Sequence, residues 1–235
     1  MCGRINISKH PLSEVLMELA GASFPVEDRE NLAPTEPAPI VRNVRGGGAR
    51  EVAVCRWWLI PYWSREPKTK YAMFNAKAET LESSRAFEEP FARRRCVVPV
   101  SGFYEWEKQS GRKLPYYLRS LDDTGLLFAG VWDRWRGAGN AEIADQTIES
   151  FAIITVAANR GMAFIHDRQP AMLSRTDVDE WLSRDTSRER LHQLLTPALP
   201  VPLAAVPVST YVNTSKNQGS RCIDPVAAPI EIPAA

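Results

Sequence analysis

The stretch RCVVPVSGFYEW, Arg95 to Trp106, opens with an apolar β-type run, Arg95 to Val100. It then passes through a glycine into a carboxylate set between aromatics. A short, nearly continuous apolar run reads as a strand buried on both faces. Similar runs follow at Pro115 to Arg119, Leu126 to Trp132, Phe151 to Ala157 and Ala204 to Val208. Upstream, residues 38–60 read as two strands around Arg45-Gly46-Gly47-Gly48, a hairpin-like connection. Helical spacing marks Leu12 to Ala20, with Leu12, Val15, Leu16 and Leu19 on one face. Shorter helices are predicted at Ser83 to Arg94, at Ser187 to Leu195, and at Thr176 to Leu182, the last opened by a capping box Thr176-x-x-Asp179. There are no repeats and no linker. The pattern predicts an α+β fold: a single domain over residues 1–226, built on a barrel-like, mainly antiparallel β-sheet with peripheral helices. Residues 227–235, apolar and Pro-bearing, are predicted to form a loosely ordered tail.

A chain of 235 residues with 44% hydrophobic content can bury a sizeable core as one domain. The first fifteen residues hold Arg4, Lys9, His10 and Glu14 and no apolar stretch, unlike a secretion signal. No run approaches the ~18 apolar residues of a membrane span. Cys2, Cys55, Cys96 and Cys222 lack metal-ligand or disulfide-frame spacing and read as reduced thiols of a cytoplasmic protein. No metal and no cofactor is expected, and a monomer is the default. Net charge is +1, yet residues 41–120 hold 16 Lys/Arg against 8 Asp/Glu while the remainder holds 13 against 20. That split predicts a basic face on a nearly neutral protein, suited to nucleic acid.

The chemistry starts at Cys2. Removal of Met1 would leave a terminal α-amine and a thiol on adjacent carbons, with ordinary pKa values of about 7.7–8.0 and 8.5. Such a pair condenses with an aldehyde to an imine and closes to a five-membered thiazolidine. A cysteine inside the chain cannot, because its nitrogen is an amide. Glu105, between Tyr104 and Trp106, sits where desolvation would lift a carboxyl toward the acid/base range, though alternation with Glu107 equally fits an exposed strand. His166, between Phe164-Ile165 and Asp167-Arg168, fits an acid/base role or a capped turn. Asn75 lies in the polar segment Phe74 to Thr80, and Lys216 in the loop Val212 to Gly219 suits either phosphate contact or plain loop.

Taken together and in order, these segments resemble the SOS response-associated peptidase family. The motifs are Met-Cys-Gly-Arg at the start, Asn31 to Thr35, Trp57 to Trp63, Asn-Ala-Lys-Ala-Glu-Thr from Asn75, Arg-Cys-x-x-Pro-x-x-Gly-Phe-Tyr-Glu-Trp from Arg95, His-Asp-Arg-x-Pro from His166, and Asn213 to Asn217. The resemblance runs from Cys2 to about Pro225. It implies a barrel-like α+β fold that shields abasic sites in single-stranded DNA through a covalent thiazolidine crosslink, together with a proposed peptidase activity, at least removal of Met1. Carried over, Cys2 is the nucleophile, and Asn75 orients the amine and the sugar. Glu105 shuttles protons, and His166 assists ring opening and reversal. Arg4 and Lys77 lie near phosphates. Trp57, Trp63, Pro34 and Thr35 belong to segments shaping the DNA groove. Lys77 stands where arginine is usual, Trp58 where glycine is usual, and Gln169 where a more apolar or basic residue is common. Two other readings remain open from the sequence: a cysteine peptidase or self-processing enzyme using Cys2, and a non-covalent module binding single-stranded or modified DNA.

Overall fold

The run Arg95 to Val100 is a strand buried at every position, and the chain leaves it through a sharp bend into a second strand of a different sheet. In the computed structural model, which describes residues 2–44, 48–109, 111–137 and 146–234, this bend joins the two sheets of the molecule. The strands are β1 (Ile5–Ile7), β2 (Arg29–Leu32), β3 (Pro37–Asn43), β4 (Arg50–Trp57), β5 (Asn75–Lys77), β6 (Arg95–Val100), β7 (Gly102–Gln109), β8 (Arg112–Ser120), β9 (Leu126–Arg136), β10 (Thr147–Ala157), β11 (Arg168–Pro170), β12 (Leu203–Pro207) and β13 (Ile230–Ile232). The helices are α1 (Lys9–Ala20), α2 (Glu88–Arg93), α3 (Val178–Leu182) and α4 (Arg188–Leu194).

Strands β10, β4, β3, β6 and β9 follow one another by hydrogen bonding, and β9 pairs back onto β10, closing a five-stranded ring. Most pairings are antiparallel; β4 and β5 run parallel to β10. The second sheet, β13-β12-β8-β7-β1-β2, is antiparallel throughout. Gly102 occupies the corner because a Cβ there would lie 2.5 Å from the Tyr117 ring and 2.6 Å from the Leu118 carbonyl. Both atoms belong to β8, the neighbouring strand of the same sheet, so β7 can begin this close to β8 only at a residue without a side chain. The predicted hairpin is β3–β4, although its tip, residues 45–47, lies outside the described residues.

Helix α1 seals the barrel with Leu12, Val15, Leu16 and Leu19, the positions the spacing predicts, and ends at Gly21 in the left-handed region. Two expectations are corrected. The capping box lies two residues earlier than Thr176-x-x-Asp179: the Ser174 hydroxyl and the Asp177 carboxylate exchange hydrogen bonds with each other's backbone N–H, opening a short 3-10 turn before α3. The tail is also not loose over its whole length. Its alternating Ile230-Glu231-Ile232 adds β13 to the edge of β12 and buries Ile232.

Candidate active site

The residues before β1 continue along β7, where the Tyr104 N–H donates to the Arg4 carbonyl at 3.0 Å. This pairing draws the amino-terminal chain inward, and Cys2 is fully buried. Its carbonyl is held from the barrel side: Asn75 Nδ2 donates to Cys2 O at 2.8 Å. Asn75 Oδ1 is buried and accepts no hydrogen bond from the described residues. An amide that holds one group and leaves its carbonyl oxygen buried and empty is set to accept from a donor such as an amine.

Glu105 is 2% exposed on β7. Burial pushes its carboxyl up to about 7, against the opposing pull of the amino-terminal charge. The Cys2 thiol lies well above its ordinary value, first because it is buried and second because Glu105 is near. His166 follows β10 in a turn. Burial and then the amino-terminal charge lower its pKa, outweighing the neighbouring Asp167 carboxylate at 2.8 Å from Nδ1. The Arg168 N–H donates to His166 Nδ1 at 3.0 Å, so the ring is held by the turn that carries it. Cys2, Glu105 and His166 thus all feel the charge of the amino terminus, and Asn75 grips the Cys2 carbonyl. The four residues proposed for the chemistry, distant in sequence, converge on one point.

Two braces hold this arrangement. The Glu79 carboxylate takes both terminal nitrogens of Arg168, at 2.7 and 3.0 Å, and Arg168 Nη2 also reaches the Thr155 carbonyl at 2.5 Å. This clip ties the segment carrying Asn75 to the turn carrying His166. On the other side Arg4 Nη1 donates to Asn31 Oδ1 at 2.8 Å and to the Val212 carbonyl at 3.1 Å. Asn31, fully buried, donates in turn to the carbonyls of Val212, Thr214 and Asn217. Trp106 Nε1 donates to Asn213 Oδ1 at 2.7 Å, with the Arg4 guanidinium 5.8 Å from its ring centroid. Arg4 therefore spends part of its guanidinium on the loop 212–217.

Lys77 is exposed, two residues from Asn75 on the same strand. Thr35 is exposed with a φ of 82°, and its N–H donates to the Trp57 carbonyl; Pro34 beside it is half-buried. Trp57 is corrected: its ring is fully buried, so it cannot touch DNA. Its indole N–H donates to the Phe74 carbonyl at 2.9 Å and its ring packs edge-on to Phe74, so it props β5 from below. Trp63 is 40% exposed, with the Arg85 guanidinium 4.3 Å from its ring. Trp58, half-buried, packs on Phe74 and donates to Thr69 Oγ1. Sequence reading passed over Tyr62 and Tyr71, both exposed beside Arg65, Lys68 and Lys70. Aromatics interleaved with cations were the signal for them. Elsewhere the basic block is partly internal. Arg42 pairs with Glu51 and Glu149, Arg50 with Asp179, and Arg94 with Glu89 and Asp133. Among the described residues no group of three or more His, Cys, Asp and Glu side chains could hold a metal ion, and no helix is long and apolar enough to cross a membrane.

Comparison with known proteins bears on this site. The family model described as SOS response associated peptidase (SRAP) matches residues 1–215. The chain is 33% identical over 196 residues to the abasic site processing protein YoaM of Bacillus subtilis, covering 83% of each chain. It is 30% identical to the abasic site processing protein HMCES of Xenopus tropicalis, over 86% of this chain and 68% of that one. Among solved structures, a protein from Bacteroides thetaiotaomicron superposes with a TM-score of 0.73 at 26% identity, over 84% of this chain and 85% of that one.

Proposed function

The chain belongs to the SOS response-associated peptidase family, and on that premise we propose that it captures abasic sites in single-stranded DNA as a covalent thiazolidine on Cys2. The observation that carries the reading is the convergence of Cys2, Asn75, Glu105 and His166 on the amino terminus. Removal of Met1 would move the free amine onto Cys2, the residue whose carbonyl Asn75 holds.

The abasic sugar opens from hemiacetal to aldehyde by one proton transfer to the ring oxygen and one from the C1′ hydroxyl, work for which neutral His166 is suited. The Cys2 amine adds to C1′, and the resulting hydroxyl leaves as water, forming an imine. With a pKa of about 7, Glu105 is present in both forms at neutrality, so it can protonate the leaving hydroxyl and accept the proton back. The thiol then adds across the C=N bond, sulfur to carbon and hydrogen to nitrogen. The net release is one water. The ring removes the imine that would otherwise promote strand-cleaving elimination. The strand would be held by Lys77, by the uncommitted part of Arg4, and by stacking at the Tyr62–Tyr71 segment, none of which reads sequence. The turn Pro34-Thr35 and Trp63 would border the groove.

A peptidase acting on other chains is less well supported, since burial keeps the Cys2 thiol protonated whereas a Cys–His pair needs a thiolate. The test is a denaturing gel of the protein with a strand carrying one abasic site, and Cys2→Ala alongside. We expect a heat-stable band for the wild type only, with Cys2→Ala retaining most of its affinity for the strand. A band from Cys2→Ala would overturn the mechanism.

A further inference from the structure

A cavity of about 540 Å³ is lined by residues of β3, α2, β6, β9 and the end of α3, and shares no residue with the Cys2 site. Its walls include Arg93, Arg94, Arg95 and Arg184, and Glu89 is the sole carboxylate among its lining residues. That carboxylate is already taken by Arg94. The Arg93 and Arg184 side chains are exposed and make no ion pair or hydrogen bond among the described residues. Arg95 is buried and pairs with no carboxylate among the described residues; it donates instead to the carbonyls of Trp181, Phe91, Ala92 and Ser183, using four of its five N–H groups. Burial and the nearby Arg184 charge lower its pKa to about 10, a sign of cations crowded without a counter-charge.

A second, independent observation lies in the same wall. Six of the seven tryptophans donate their indole N–H to an acceptor within the chain. Trp132, 6% exposed and lining this cavity, has none among the described residues. A smaller neighbouring cavity shares Arg93, Arg95 and Arg184 but sets Glu82 and Glu88 against them. The excess of donors belongs to the larger one.

We propose that this cavity is a phosphate-binding site, with Arg93 and Arg184 closing on the anion and the Trp132 indole N–H donating to it. Guanidinium forks match the oxygens of a phosphate group, and a buried cationic wall is relieved by such an anion. The phosphate belongs either to a nucleic-acid backbone or to a free phosphate compound, since both present the same oxygens.

The test uses the full chain labelled with ¹⁵N, its Trp132 indole resonance assigned by Trp132→Phe. Pyrophosphate should shift that resonance saturably at millimolar concentration. Binding should weaken by roughly tenfold, or about 1.4 kcal/mol, in Arg93→Ala/Arg184→Ala. Both side chains are exposed and unbonded, so this variant should melt with the wild type. No saturable shift, or equal affinity in the double variant, would overturn the site. Displacement of pyrophosphate by an intact oligothymidine would assign the anion to a strand backbone, and retention would assign it to a free compound. Because Cys2 takes no part, the outcome is independent of crosslinking.

Discussion

Glu105 is the residue on which the chemistry turns, and its environment makes two predictions. A carboxyl with a pKa of about 7 gives crosslink formation an inflection near pH 7, and Glu105→Gln should both slow the reaction and remove that inflection. The same shift appears in stability. The folded value lies above the ordinary 4.5, so the contribution is complete below pH 4.5 and is lost as the pH rises toward 7. Relative to wild type, Glu105→Gln should gain up to about 3 kcal/mol of stability between those limits. Denaturant titrations at pH 4 and pH 8 measure it, and a constant difference would mean Glu105 ionises freely. The sequence made Glu105 visible because an acid between aromatics in a strand is unusual. It marked Asn31 only as part of a motif and hid its role, because the three carbonyl acceptors come from a loop some 180 positions away. It misassigned Trp57, because an aromatic flanking an exposed segment looks the same whether it lies on the groove or beneath it.

Strands and their corners carry the next level. Gly102→Ala forces a Cβ into the Tyr117 ring and the Leu118 backbone, and it should cost about 1–3 kcal/mol, read as a drop in melting temperature. The Glu79–Arg168 clip makes a different prediction. Glu79 is largely exposed, so the pair adds little stability, and Glu79→Ala should melt nearly with the wild type. Crosslinking should nevertheless slow by about tenfold as the His166 turn loosens from β5. Unchanged kinetics would make the clip merely structural. Element existence was legible where apolar runs were long enough to be buried on both faces, as in β6, β9 and β10. Three-residue β13 was not, because its pairing with β12 is a tertiary event that a Pro-flanked sequence conceals. The capping box was displaced for a similar reason: Ser174 and Thr176 are both acceptable caps, and only the direction of the incoming strand decides between them.

At the scale of the whole molecule, the barrel and the antiparallel sheet meet at Gly102, and the amino terminus is threaded between β7 and β5 at that junction. The charge asymmetry seen in the sequence divides into two kinds of cation. Arg42, Arg50, Arg94 and Arg95 are spent internally, while Arg65, Lys68, Lys70 and Lys77 remain exposed on the chain either side of Asn75. Non-covalent binding of an intact strand should accordingly weaken with rising salt, and Lys68→Ala/Lys70→Ala should flatten that slope without altering the adduct formed. The measurement that reaches the central claim most directly is the intact mass of the protein after incubation with a single-stranded oligonucleotide bearing one abasic site. The predicted product has the mass of the chain lacking Met1 plus the strand, less one water, and is absent with Cys2→Ala. An adduct that retains Met1, one that survives Cys2→Ala, or no adduct from a strand that demonstrably binds would contradict it.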